Sequence, residues 1–194
     1  MEIDELLDQI YTTGQLNDET SVDRSSKMLN ITPSTGAFLD LLVSDLKPKR
    51  ILELGTSNGY STIWLARAAQ RIGAVIDTVD HSPRKTEMAR ENLEQSGLLK
   101  DVTLHTSDGG AFLSRCPTST YQLVFLDSDR SAYLDWADDL IRVTQFGLIV
   151  VDNAQSHPEE LVPLRRYLSD SQRFSQAVLP IGKGQLIIHQ TTPI

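Results

Sequence analysis

Three oxygen-donor side chains follow two apolar runs: Asp127 in "VFLDSDR", and Asp152 with Asn153 in "LIVVDNAQSH". If the two runs are neighbouring parallel strands, all three donors reach one rim. An all-oxygen set with places left for water and substrate suits Mg²⁺, Mn²⁺ or Ca²⁺ better than Zn²⁺. Acids and Asp-Asn pairs also cap helices and form turns, so a structural role stands beside the metal role. Upstream, "ILELGTSNGYS" sets Glu53 inside an apolar run, closes the run on Gly55 and places Gly59 four residues on. Glycines there let the backbone pass close to a ligand, and a helix starting near Gly59 aims its free N–H groups at the same point.

The ligand that such a turn would hold is narrowed by its neighbours. A dinucleotide turn wants G-x-G-x-x-G, and Ser57 and Tyr60 stand in the second and third glycine places. Glu53 would repel a pyrophosphate but suits a ligand with an ammonium group, such as the amino-acid end of S-adenosylmethionine. Pairing with a basic side chain is its structural alternative. Asp80, in "DTVDHSP", is placed to accept hydrogen bonds from two ribose hydroxyls, or else to cap the helix that Ser82 and Pro83 begin. Asp108, in "HTSDGG", can accept from an adenine amino group or close an Asx turn before Gly109. Three acids at successive strand ends are more specific than any one of them.

The elements that must position these residues follow from periodicity. Apolar runs at Arg50 to Gly55, Val75 to Asp80, Val102 to Ser107, Tyr121 to Asp127 and Leu148 to Asn153 are each of strand length. Most are followed by helical patterns, at Gly59 to Gln70, Pro83 to Ser96, Ala132 to Val143 and Pro158 to Leu168. Such alternation predicts a parallel sheet with crossover helices, hence an α/β fold. Ser175 to Leu179 and Gln185 to His189, joined by "PIGKG", predict a hairpin that ends the sheet with an antiparallel strand. Glu2 to Thr13 and Ser34 to Asp45 read as helices that precede the sheet and could cover the site, with the polar stretch Gln15 to Lys27 mobile until a ligand orders it.

Composition bounds the function. The 194 residues, 40% of them hydrophobic, suit one globular unit with a real core. A net charge of −8 argues against a phosphate-backbone footprint, so a small molecule is the expected partner and nucleic acid is not. The single cysteine, Cys116, forms no intramolecular disulfide, and no leader or membrane-spanning run is visible. These features predict a soluble cytoplasmic protein without a membrane partner.

The pieces "ILELGTSNGYST", "VDHSP", "TSDGGAFL", "LVFLDSDRSAYLDW", "GLIVVDN" and "LPIGKGQLII" together resemble the small cation-dependent class I O-methyltransferases, the group containing catechol and caffeoyl-CoA O-methyltransferases. The resemblance runs from about Met28 onward. It implies a Rossmann-like fold with a mostly parallel seven-stranded sheet, an antiparallel C-terminal hairpin strand and helices on both faces. It also implies one domain over 1–194, with a helical cap at 1–46 and the core at 47–194, and a homodimer. By resemblance, Glu53, Gly55, Ser57, Ser61, Asp80 and Asp108 line the S-adenosylmethionine pocket, and Asp127, Asp152 and Asn153 hold the divalent cation. Met28 matches a part of the family that packs near the cofactor, where either contact with the sulfonium or ordinary packing is open to it.

The implied reaction is methylation of a hydroxyl on a small catechol-like aromatic. One departure stands out. The family's pattern is D-x-x-K, with the lysine as base, whereas this chain has Asp127, Ser128, Asp129 and Arg130. An arginine stays protonated and cannot be an ordinary base, which leaves Arg130 as an electrostatic stabiliser and passes deprotonation to the metal, Asp129, His157 or water. Tyr133, Trp136, Trp64 and Phe112 are candidate aromatic walls, although the two tryptophans also sit at helix-packing positions. The competing functions are an NAD-dependent oxidoreductase, a methyltransferase for another acceptor with a vestigial metal site, and a non-catalytic S-adenosylmethionine-binding module.

Overall fold

The computed structural model describes residues 2–191; Met1 and residues 192–194, which the 1–194 domain reading includes, lie outside the described residues. Two helices lead, α1 (Ile3–Thr20) and α2 (Pro33–Leu46). Then come β1 (Arg50–Leu54), α3 (Tyr60–Ile72), β2 (Val75–Asp80), α4 (Pro83–Gln95), β3 (Val102–Thr106), α5 (Gly109–Leu113) and β4 (Leu123–Leu126). The chain continues through α6 (Ala137–Val143), β5 (Leu148–Val151), α7 (Pro158–Asp170), β6 (Phe174–Leu179) and β7 (Gln185–Gln190). The seven strands form one sheet in the order β3-β2-β1-β4-β5-β7-β6. Strands β1 to β5 pair in parallel, and β7 is antiparallel to both β5 and β6. The expected antiparallel strand is therefore one in from the edge, and β6 is the last.

Alternation along the strands feeds two cores. Ile51, Ile76, Leu123, Phe125 and Val150 pack with Leu6, Ile10, Leu39, Val43 and Ile63 from α1, α2 and α3. Leu52, Leu54, Val79, Val124, Leu126 and Val151 pack on the other face with Leu113, Leu140, Leu161 and Leu164 from α5, α6 and α7. Fully buried parallel strands read as near-continuous apolar runs because both faces are covered. Among the described residues no helix is long and apolar enough to cross a membrane.

Three boundaries differ from the periodicity. Gln15 to Thr20 is helical, because α1 buries Leu6, Leu7, Ile10 and Gly14 on one face and carries its polar residues on the other. The segment beyond it is held to α1: Asp18 accepts from the Met28 and Leu29 N–H groups at 2.6 and 2.8 Å, and Asn17 donates to the Ser26 carbonyl at 3.0 Å. The helix predicted over Ala132 to Val143 is a 3-10 turn at Arg130–Ala132 followed by α6, because Tyr133 turns inward and its hydroxyl takes the Ser128 N–H at 2.8 Å. The short α5 has two glycines at its start, poor helix formers, and is held by the Asp108 cap and the ring of Trp136 lying against Gly109 and Gly110.

Candidate active site

Strand order reverses between β1 and β4, and ligands in open α/β sheets collect at the carboxyl ends of the strands at that point. Gly55 leaves β1 there with φ +108°, and a Cβ on it would lie 2.0 Å from the Asp127 carbonyl oxygen. Only glycine allows the two strand ends to come this close. Gly59, with φ +82°, begins α3. The intervening turn is tied on two sides. The Ser57 N–H donates to Asp80 Oδ2 at 2.9 Å, and the Ser57 hydroxyl donates to the Met28 carbonyl at 2.7 Å. Asp80 Oδ1 accepts the Ser82 N–H at 2.9 Å. Met28, Ser57 and Asp80 are thus one connected group, and Asp18 anchors its outer end.

Glu53 is 0% exposed. Its Oε1 accepts from Ser61 at 2.6 Å, and its Oε2 accepts from Thr62 at 2.5 Å and Thr78 at 2.6 Å. Burial raises the carboxyl pKa, and the three hydroxyls only partly oppose it. The partners of Glu53 are hydroxyls and not the basic side chain that a structural pairing would have needed. Ser61 lies against this carboxylate at the start of α3. Asp108 is exposed and uses Oδ1 to cap α5 through the Ala111 N–H at 2.8 Å, the local role that the Asx-turn reading describes.

The acid pair lies on the β4 side of the reversal. Asp127 directly follows β4 and Asp152 directly follows β5, and the register Leu126↔Val151 brings them side by side. Asp152 is 2% exposed and Asn153 is 8% exposed. Asn153 adopts φ +68°, and its Nδ2 donates to Asp127 Oδ1 at 3.1 Å and Asp152 Oδ2 at 3.0 Å. Desolvation raises both carboxyls, Asp127 to about 8 with the charge of Asp152 adding to it; the Gln185 amide holds Asp152 down, and Lys183 and Arg130 pull both downward. The buried Asp152 and the partly buried Asp127, both with raised pKa values, call for a cation, a proton or both. Among the described residues there is no group of three or more His, Cys, Asp or Glu arranged to hold a metal. The donors here are two carboxylates and one amide.

Arg130 and His157 stand apart from that pair. Arg130 is 7% exposed, and its Nε donates to Glu160 Oε2 at 2.6 Å, joining the 3-10 turn to the first turn of α7. His157 is exposed at the start of α7, with Nδ1 2.9 Å from the Ser156 hydroxyl, which also donates to Asn153 Oδ1 at 3.1 Å. Tyr133 is 1% exposed and belongs to the core, so it forms no wall, and Trp64 packs against Gly36 of α2. Sequence reading missed Gln185, Lys183 and Glu160. Gln185 is 0% exposed, and its Nε2 donates to Asp152 Oδ1. Its one local signal is a polar residue just before the apolar run Leu186 to Ile188.

Comparison with known proteins agrees with this architecture. A family model described as O-methyltransferase matches residues 6–190. A catechol O-methyltransferase of Mycobacterium tuberculosis is 37% identical over 153 residues, covering 71% of this chain and 66% of the relative. A catechol O-methyltransferase of Niastella koreensis is 34% identical over 129 residues, covering 64% of this chain and 58% of the relative. The chain thus spans under two-thirds of the length of either relative. Among solved structures, an SAH-bound methyltransferase of Podospora anserina superposes with a TM-score of 0.81 at 19% identity, covering 96% of this chain and 88% of that one. An O-methyltransferase of Bacillus cereus in complex with SAH gives 0.78 at 23% identity, covering 96% and 90%. Sequence match and sheet order agree: the chain belongs to the O-methyltransferase family.

Proposed function

We propose that residues 1–194 act as one S-adenosylmethionine-dependent O-methyltransferase domain that methylates a hydroxyl of a small catechol-like aromatic and uses a divalent cation, with Mg²⁺ ahead of Mn²⁺ and Ca²⁺. The observation that carries this reading is the side-by-side pair Asp127 and Asp152 at the ends of β4 and β5, bridged by the Asn153 amide beside the β1–α3 turn. The curated names of two relatives, and the SAH held by two structural neighbours, support the acceptor and the donor.

The residues present fit a hard cation. Two adjacent carboxylates supply charge, and turning the Asn153 amide would present its oxygen in place of Nδ2. Gln185 Nε2 donates to Asp152 Oδ1, which leaves Oδ2 on the Asn153 side. Held by Asp127, Asp152 and Asn153, such an ion would supply Lewis acidity that lowers the pKa of the acceptor hydroxyl.

The chain's own residues supply the remainder. In this reading Asp80 takes the ribose hydroxyls, Asp108 the adenine side, and the Gly55 to Gly59 turn the donor's amino-acid end; the Ser57–Asp80 and Ser61–Glu53 hydrogen bonds support it by ordering the turn. The acceptor oxygen forms a bond to the donor methyl as the methyl–sulfur bond breaks, its electron pair goes to sulfur, and the hydroxyl proton leaves to solvent. Arg130, held by Glu160 and acting on Asp127, contributes positive potential and takes no proton. Loss of opposite charges during transfer favours a site closed to water.

The deciding experiment is SAH release from purified protein with a catechol panel, with Mg²⁺, Mn²⁺ or Ca²⁺ and after chelation, beside Asp152→Ala. Cation-dependent turnover that Asp152→Ala abolishes is the expected result. Lys183 and Arg130 both bear on the acid pair and favour a second reading, a methyltransferase for another acceptor whose own cations replace the metal. Turnover unchanged by chelation would select it, and SAH binding without turnover of any acceptor would sink both. The homodimer belongs to the first reading, and sedimentation velocity checks it.

A further inference from the structure

Gln185 opens β7 with a side chain that is wholly buried and joins three parts of the fold. Its Nε2 donates one hydrogen to Asp152 Oδ1 and shares the other between Thr35 Oγ1 of α2 at 3.3 Å and the Ile181 carbonyl of the β6–β7 hairpin at 3.4 Å. Thr35 is itself 3.0 Å from Thr32, whose hydroxyl caps α2. The hairpin and α2 meet so closely that a Cβ on Gly182 would lie 2.2 Å from Thr35 Oγ1 and 2.5 Å from Thr32 Oγ1. The same hairpin takes the Gln155 and Ser156 N–H groups on the Lys183 carbonyl at 2.9 and 3.1 Å, fixing the turn that carries Asn153.

A buried carboxylate with one oxygen held by an amide keeps a defined orientation, and groups behind a ligating side chain set its direction and charge. An amide that must face Asp152 with its nitrogen leaves its oxygen facing elsewhere, which explains the orphaned Oε1. Accepting that orphan in a sealed core is costly, and the cost points to a site kept for a purpose beyond packing.

We propose that Gln185 is a positioning residue for Asp152: it holds Oδ1, leaves Oδ2 at the Asn153 side for a divalent cation, and couples cation binding to the docking of α2 through Thr35. The inference rests on the cation-dependent reading above. Since coupling is reciprocal, the cation steadies α2 and a displaced α2 weakens the cation.

The test is Mn²⁺ binding to the full chain by electron paramagnetic resonance, wild type against Gln185→Met, with the melting temperature in chelator and amide hydrogen exchange of α2 measured on the same samples. The expected result is a dissociation constant raised about 10- to 100-fold in Gln185→Met, with the cation-free melting temperature retained. Mn²⁺ should slow exchange in α2 of the wild type only. A glutamine that merely supports the fold would lower the melting temperature and leave the Mn²⁺ affinity alone, and that outcome overturns the proposal. If Gln185→Met does not fold, Gln185→Asn, which keeps the amide but withdraws it by one methylene, must show the same direction of loss. Wild-type protein that binds no Mn²⁺ would overturn the metal reading and this inference together, whereas equal binding by wild type and variant overturns the inference alone.

Discussion

Arg130 carries its charge into the site without touching the acids. Its guanidinium is buried, its Nε is committed to Glu160, and its field reaches both Asp127 and Asp152. A lysine at this position has a compact ammonium and no forked donor to keep Glu160. Arg130→Lys is therefore expected to lower catechol turnover and to cost about 1–2 kcal/mol of stability, the range for a charged hydrogen bond at a partly exposed partner. Chemical denaturation and SAH release on the same variant measure the two effects, and a gain in turnover would show that arginine limits the reaction. Asp80 is a second residue with divided duties. Both of its oxygens already serve backbone N–H groups, so a ribose would share them and would bind to a turn organised in advance.

At the scale of elements, two contacts hold the central strands in register. The first is the approach of β1 to the end of β4 at Gly55. Gly55→Ala combines a clash with the Asp127 carbonyl and a φ that side chains rarely adopt, and is expected to cost about 3 kcal/mol or more, read by urea denaturation. A variant as stable as wild type would mean that the two strand ends part easily. The second contact lies on the other side of β1, where Asp77 of β2 accepts from Arg50 Nη2 of β1 at 2.6 Å and Tyr121 OH before β4 at 3.1 Å, with His105 Nε2 of β3 at 2.8 Å. These groups line a groove of about 740 Å³. Burial alone would raise the Asp77 pKa, yet the bonds to Arg50, His105 and Tyr121 outweigh it and the carboxyl stays below its ordinary value. A lowered carboxyl contributes stability above its unfolded pKa and loses it as pH falls through the folded one. Asp77→Asn should thus be less stable than wild type at pH 7 by roughly 1–3 kcal/mol, and the gap should close in strongly acidic solution. Melting curves across pH follow this directly, and a gap independent of pH would assign the effect to shape instead of charge.

Over the whole molecule, the leading helices are part of the main core and not a loose cover. Leu6, Ile10, Leu39 and Val43 pack with the sheet residues Ile51 and Phe125. Arg67 of α3 bridges Asp4 of α1 at 2.6 Å and Asp40 of α2 at 2.9 Å, and Arg71 reaches Asp40 at 2.5 Å. Through Met28 and Ser57, the link between these helices touches the proposed donor turn. Ligand binding to the folded state should therefore stabilise the entire unit in one transition. SAH at about 100 times its dissociation constant is expected to add about 2.7 kcal/mol, seen as a single melting step moved upward by calorimetry. A first step that ignores SAH would separate α1 and α2 from the domain.

Local pattern determined the strand count, the parallel sheet, and the placement of Asp80, Asp108, Asp127, Asp152 and Asn153 at strand ends. Apolar runs closed by an acid or glycine are readable within a few residues, because burial on both faces leaves a near-continuous apolar stretch that stops where the sheet does. The family was legible for the same reason, since its motifs are those strand ends. What only the tertiary structure decided is which partners those acids have. Glu53 has Thr78 from 25 residues away, Arg130 has Glu160 from 30, and Asp152 has Gln185 from 33, and no local period encodes such pairs. The inward turn of Tyr133, which breaks the helix predicted over Ala132 to Val143, and the extension of α1 to Thr20 also depend on packing that forms only when the layers meet. Sequence periodicity reports which side of an element is buried; the identity of the atoms facing a buried charge is set when the strands and the hairpin close over it.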